Sequence, residues 1–182
     1  MNPRHEHQLD PAELRDLLQE LVRRVEARGV TGAIRIVGGA ALALRYPDDA
    51  EVRTTRDVDA VWEPRAEVGE VIAELAAERG LEADWINPAA ASWLRTDPPN
   101  PAEGQFEIVI ATPEQLVAMK LAAGREQDLA DLRILARHLG IDDAERLVDI
   151  AYDVYGDDSV ELPDGRESYL VLARAVIESL DS

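Results

Sequence analysis

The segment RTTRDVDAV, residues 53–61, sets two aspartates two positions apart in an apolar stretch that reads as a strand. Side chains alternate along a strand, so Asp57 and Asp59 leave from one face with Cα atoms about 6.5–7 Å apart, while Val58 and Val61 serve the core. Two unit charges at that separation repel by about 2–3 kcal/mol at an effective dielectric near 20. A hard divalent cation, Mg²⁺ or Mn²⁺, would offset that cost by taking oxygen ligands from the carboxylates and from a phosphate together. A solvated strand edge is the alternative, because exposed aspartates cost little.

The neighbouring residues favour a phosphate. AIRIV runs directly into Gly38-Gly39 and then a helical start, AALALR. Glycine lets backbone N–H groups approach phosphate oxygens, and the helix that follows adds the positive end of its dipole. Arg53 and Arg56, just ahead of the aspartates, are forked donors suited to phosphate oxygens. Surface solvation is the competing account of the arginines, as a tight turn is of the glycines. Lys120 is the single lysine among 19 basic residues. A compact, rotatable ammonium suits a triphosphate, although any rare residue must fall somewhere.

VGGAALAL followed by RTTRDVDAV resembles the polymerase-beta-like nucleotidyltransferase superfamily, whose hallmark is a strand, a glycine pair and a helix, then Asp-x-Asp on the next strand. The long spacing between Gly39 and Asp57 and the Arg-x-Thr-x-Asp-x-Asp run are similar to the branch typified by AbiEii and MenT toxins. TPEQLVAMKLAAGREQDLADLRIL is similar to that branch's later motif. The resemblance spans roughly residues 33–139. It implies an α/β (α+β) fold, the small mixed sheet of a minimal nucleotidyltransferase with flanking helices. It also implies an enzyme that moves an NMP from an NTP to an acceptor hydroxyl with release of pyrophosphate. Asp57 and Asp59 would then hold Mg²⁺ (or Mn²⁺), and Gly38, Gly39, Arg53 and Arg56 would bind the nucleotide. Lys120 would contact the phosphates, and Asp128 would support that lysine or the acceptor; Asp131 is a weaker candidate that caps or solvates. A third metal carboxylate is expected on a later strand, Glu107 first and Asp84 second. The acceptor expected is a tRNA 3′ end or a protein, with an antitoxin as partner. Two rivals stand beside this reading: a nucleotidyltransferase acting on an antibiotic or other small molecule, and a non-catalytic module that binds nucleotide or protein.

The elements that must position these residues are marked by local signals. Asp10 as N-cap and Pro11 open an amphipathic helix with Leu14, Leu17, Leu18, Leu21, Val22 and Val25 on one stripe, ending at Gly29. Strands are expected over 33–37, 57–63 and 105–111, an edge strand over 81–86, a short helix in PAAASWL and a loop over 96–104. Pro64 begins a helix with Val68, Val71, Ile72 and Leu75 inward. Thr112 and Pro113 begin the helix carrying Lys120, which Gly124 is expected to end. Asp128 would lie about 12 Å from Lys120 on an unbroken helix, so the two meet directly only if Gly124 breaks it. Helices alone follow. The expected division is a nucleotidyltransferase-like domain over 1–140 and an acidic helical extension over 141–182, packed on the same domain.

Composition narrows the remaining classes. The 182 residues contain no cysteine, which excludes disulfides and thiolate zinc sites and makes a cytoplasmic protein the expectation. No apolar run reaches the roughly 18 residues of a membrane span, so no membrane partner is expected. The net charge of −18 opposes polyanions at long range. Most of the excess lies in residues 66–111, with 9 acids against 2 bases, and 141–182, with 12 against 3. The segments bearing the motifs are nearly neutral and could still face an anionic ligand. His5 and His7 fall in a charged tail and suggest disorder rather than a metal pair.

Overall fold

A computed structural model describes residues 8–89, 91–94, 99 and 101–180. His5 and His7 lie outside them, as does part of the expected 96–104 loop. By packing, the chain divides into two compact units that meet in sequence at Ile110 and Ala111.

The first unit is built on a mixed sheet. Helix α1 (Pro11–Ala27) starts where Asp10 accepts from the N–H groups of Ala12 and Glu13, at 2.9 and 2.8 Å, and buries Leu14, Leu17, Leu18, Leu21 and Val25. Strand β1 (Gly32–Ile36) leads into α2 (Gly38–Arg45). Strand β2 (Val58–Glu63) leads into α3 (Arg65–Arg79), which ends on the left-handed Gly80. A two-residue β3 (Ile86–Asn87) and β4 (Phe106–Ile110) complete the sheet. The expected edge strand over 81–86 is therefore reduced to its last residue and the one after it. A single 3-10 turn over Ala91–Trp93 stands within the expected short helix.

The strand order is β3-β2-β1-β4, with β1 antiparallel to β2 and parallel to β4, and β2 parallel to β3. This is the small mixed sheet with flanking helices that the motif resemblance implies. The row Ile34, Ile36, Val58, Ala60, Ile86 and Phe106 is buried, as pleat alternation requires of a core face. Val61, by the same alternation, shares Asp59's face rather than the core row with Val58. Helices α1 and α3 pack on each other and are tied across the surface, since Arg24 donates to Glu20 at 2.7 Å and to Glu78 at 2.6 Å. Those bonds hold both carboxyls below their usual range.

The second unit is helical: α4 (Pro113–Ala123), α5 (Asp128–Leu139), α6 (Ala144–Tyr155) and α7 (Arg166–Glu178). Helices α4 and α5, grouped by sequence with the strands up to residue 140, pack with α6 and α7, so the compact unit begins at Ala111. Thr112 and Gln115 form a reciprocal capping box at the start of α4, and Leu147, Val148, Ala151, Leu170, Ala173 and Val176 are buried on α6 and α7. Among the described residues no helix is long and apolar enough to cross a membrane.

Candidate active site

Strand β2 begins at Val58, one residue later than its sequence suggests, so Asp57 occupies a bend and Asp59 is the first acid inside the sheet. The pleat therefore aims Asp59 but not Asp57. Two other contacts hold Asp57. The Thr55 hydroxyl donates to the Asp57 carbonyl at 2.6 Å, and the Asn87 amide donates to Oδ2 of the Asp57 carboxylate at 2.9 Å. Asn87 is the β3 residue in register with Asp59, so its side chain leaves from the same face. Asp57 and Asp59 are thereby brought to one side, as the sequence spacing suggests, but partly through a third strand.

The glycine pair closes on the same place. Gly38 has φ +63°, and a Cβ there would come within 2.7 Å of Oδ2 of Asp59. The Asp59 carboxylate thus occupies the space that any other side chain at 38 would need, and only glycine accepts both the left-handed backbone and that approach. Gly39 is different. A Cβ there would meet nothing nearer than the Thr55 hydroxyl at 3.9 Å, an ordinary contact. Its missing side chain leaves open space beside Thr55. Val37 is the N-cap of α2, and its side chain makes no capping hydrogen bond. The Val37 N–H instead donates to the Asp59 carbonyl at 2.9 Å, pinning the turn to β2.

Arg53 and Arg56 are exposed in the segment just before the aspartates. That segment is held from the N-terminal side, where Leu9 and Thr55 exchange backbone hydrogen bonds at 2.7 and 3.2 Å. Thr54 also donates to the Gln8 side chain at 2.7 Å. Arg35, a lone charge in an apolar strand, is 8% exposed and opposite Val61, which places it diagonally from Asp59 on the same face. A cation there lessens the repulsion between the two acids.

Glu107 is not brought to the pair. It is in register with Ala33 at one end of β1, whereas Asp59 is level with Val37. Four residues along a strand are about 13 Å. Asp84 is exposed in the turn before β3, and the residue that β3 presents beside the aspartates is Asn87, an amide. Among the described residues no group of three or more His, Cys, Asp or Glu side chains is placed to hold a metal ion. Sequence reading missed Asn87 because Asn-Pro reads as a turn, and missed Arg35 because a single arginine in AIRIV carries no motif.

In the second unit Gly124, with φ +60°, ends α4, and its N–H donates to the Lys120 carbonyl at 3.1 Å. The helix is broken, and α5 restarts at Asp128. Lys120 Nζ therefore donates to Oδ1 of Asp128 at 3.2 Å and also to Asp131. Arg125 donates to Oδ2 of the same Asp128 at 2.7 Å. Lys120 and Asp128 are 6% and 2% exposed. Asp131, which the sequence leaves as a cap or solvated acid, is a direct partner of the lysine.

A family model described as "Nucleotidyltransferase of unknown function (DUF6036)" matches residues 12–162. No curated protein and no solved structure matches the chain.

Proposed function

This chain belongs to that nucleotidyltransferase family, and from this premise we propose that it transfers an NMP from an NTP to an acceptor hydroxyl in a metal-dependent reaction. The observation that carries the reading is the Asp59 carboxylate resting on the Gly38 backbone, at the start of α2. A carboxylate for a cation and N–H groups for phosphate oxygens then share one place.

The donor set suits Mg²⁺ or Mn²⁺. Such a hard ion keeps several waters and takes one or two carboxylates together with substrate phosphates, so it does not need a third protein acid. Asp57 and Asp59 would hold it, and when bound it neutralises charge on the reacting phosphate oxygens. The first-turn N–H groups of α2 orient the triphosphate, and Gly39 lets it approach the backbone. The exposed guanidinium groups of Arg53 and Arg56 add charge-assisted donors. The acceptor oxygen bonds to the α-phosphorus as the bond to pyrophosphate breaks, a step that rests mainly on positioning. Lys120 and Asp128 remain the second motif. Because the Lys120 ammonium is shared between two carboxylates, we assign phosphate neutralisation to the arginines.

The resemblance to AbiEii and MenT toxins directs the acceptor to a tRNA 3′ end or a protein hydroxyl, with an antitoxin as partner. The net charge of −18 repels a polyanion at long range and favours the protein hydroxyl. The same charge supports a second reading with a small-molecule acceptor such as an antibiotic. Calorimetric titration with each NTP, with and without Mg²⁺, tests the site: binding should require metal and disappear in Asp57→Ala. Incubation with α-labelled NTP and total tRNA or total protein tests the chemistry. Label transfer that survives Asp59→Ala refutes the assigned roles, and metal-independent binding without transfer identifies a non-catalytic module. Equal growth on induced expression of wild type and Asp59→Ala removes the toxin reading.

A further inference from the structure

Of the two candidate ligand residues, Asp57 is the one the sheet does not aim. It precedes the first paired residue of β2, it is exposed, and a free carboxylate there would rotate about two side-chain bonds. The side chain that holds it comes from β3. Asn87 donates its amide to Oδ2 of Asp57 at 2.9 Å, while its own Oδ1 accepts from the Ala89 N–H at 2.9 Å. These two bonds fix the amide's orientation. Turned over, it would set oxygen against a carboxylate and N–H against N–H.

The strand behind Asn87 is tied down on two sides. Its neighbour Trp85 is buried, donates its indole N–H to the Ile72 carbonyl at 3.2 Å, and accepts from the Val58 N–H at 2.7 Å. A two-residue strand is thus anchored both to α3 and to the start of β2. The residue type also matters. A carboxylate at 87 would add a third like charge beside Asp57, whereas an amide satisfies one oxygen of Asp57 and leaves Oδ1 for another ligand.

We infer that Asn87 is a positioning residue for the divalent cation: by holding one oxygen of Asp57, it presents the other to the metal. This rests on the proposed metal-dependent reading of the site. Partners of a ligating carboxylate commonly change metal affinity by about 10–100-fold when removed.

The test uses full-length wild type, Asn87→Ala, Asn87→Ser and Asp57→Ala. Serine keeps an acceptor for the Ala89 N–H but is too short to reach Asp57, so it removes the donor while preserving the turn. Free Mn²⁺ is measured by electron paramagnetic resonance during titration without nucleotide. Both Asn87 variants should bind Mn²⁺ about 10-fold more weakly, with Asn87→Ser melting as wild type does, and Asp57→Ala should lose the site. During turnover, the Mg²⁺ concentration for half-maximal rate should rise by a similar factor, with the rate at saturating Mg²⁺ little changed. A purely structural role would lower that rate without moving the Mg²⁺ requirement, and would overturn the inference. So would wild-type Mn²⁺ affinity in Asn87→Ser while Asp57→Ala loses the site. If wild type and Asp57→Ala bind Mn²⁺ alike, the metal reading itself fails, and the role of Asn87 falls with it.

Discussion

At Asp57 and Asp59 two charges of one sign stand together at the end of a strand, with Asp57 open to water. At Lys120, Arg125, Asp128 and Asp131 two cations and two anions are gathered around a lysine and an aspartate withdrawn from it. The first arrangement sets like charges side by side, a repulsion lessened but not neutralised group by group by Arg35 on the same face and by the Asn87 amide on Asp57. The second is compensated group by group, as burial of charge demands. A cluster that lowers stability persists where it binds something, while a balanced and buried one holds the chain in place. On the proposed function, the aspartate pair is the part that meets the ligand, while the lysine cluster ties α4 to α5.

The widest separation between the two regions should appear on removing one acid from each. Asp59→Ala should lower nucleotidyl transfer by about 10²–10³-fold, the scale for deleting one group that stabilises developing charge. Its thermal midpoint should stay level or rise, as read by calorimetry. Asp128→Ala should do the reverse to the fold, costing about 3–5 kcal/mol in urea unfolding because the buried ammonium loses a partner. A stable Asp128→Ala protein, or an unfolded Asp59→Ala one, would break the contrast.

The glycine pair sharpens it at smaller scale. Gly38→Ala should cost about 1–2 kcal/mol from the left-handed backbone alone, and should also displace the Asp59 carboxylate and abolish metal-dependent NTP binding. Gly39→Ala lies in a helical turn with room for a methyl group and should be neutral or gain up to about 1 kcal/mol. Reduced NTP affinity in this stable variant would show that the open space at 39 admits the phosphates.

The smallest effect is expected at the surface tie between α1 and α3. Arg24 lowers the carboxyl groups of Glu20 and Glu78 from the usual value near 4.5, chiefly by its hydrogen bonds. A depressed carboxyl stabilises the folded state above its unfolded value, and the contribution is lost as pH falls through the folded value. Arg24→Met should therefore be slightly less stable than wild type above pH 4.5, with the difference vanishing as pH falls through the depressed carboxyl values. Thermal melts across pH 3–7 measure it, on the order of pH steps that bracket carboxyl titration.

Residues whose causes lie within a turn or two of themselves were legible from the amino-acid order. Asp10 and Pro11, Thr112 and Pro113, and Gly124 start and stop helices through bonds to neighbours two to four positions away. Asp59 and the glycine at 38 belong to this class, since pleat and left-handed backbone are local properties, whereas Asp57 stands before the first paired residue of β2. The break at Gly124 was also readable, and with it the condition under which Lys120 meets Asp128. What the order of residues could not express was register. Glu107 and Asp59 lie on one sheet face, yet the pairings of β1 with β2 and β4 offset them by about 13 Å along the strands, with β1 between them. Only the pairing of β3 with β2 puts an asparagine, 30 positions away in sequence, on Asp57. Only packing buries Arg35 beside an acid and gives Lys120 a second carboxylate. These outcomes depend on contacts between segments distant in sequence, whose alignment comes from burying side chains on both partners at once; no single segment contains that information.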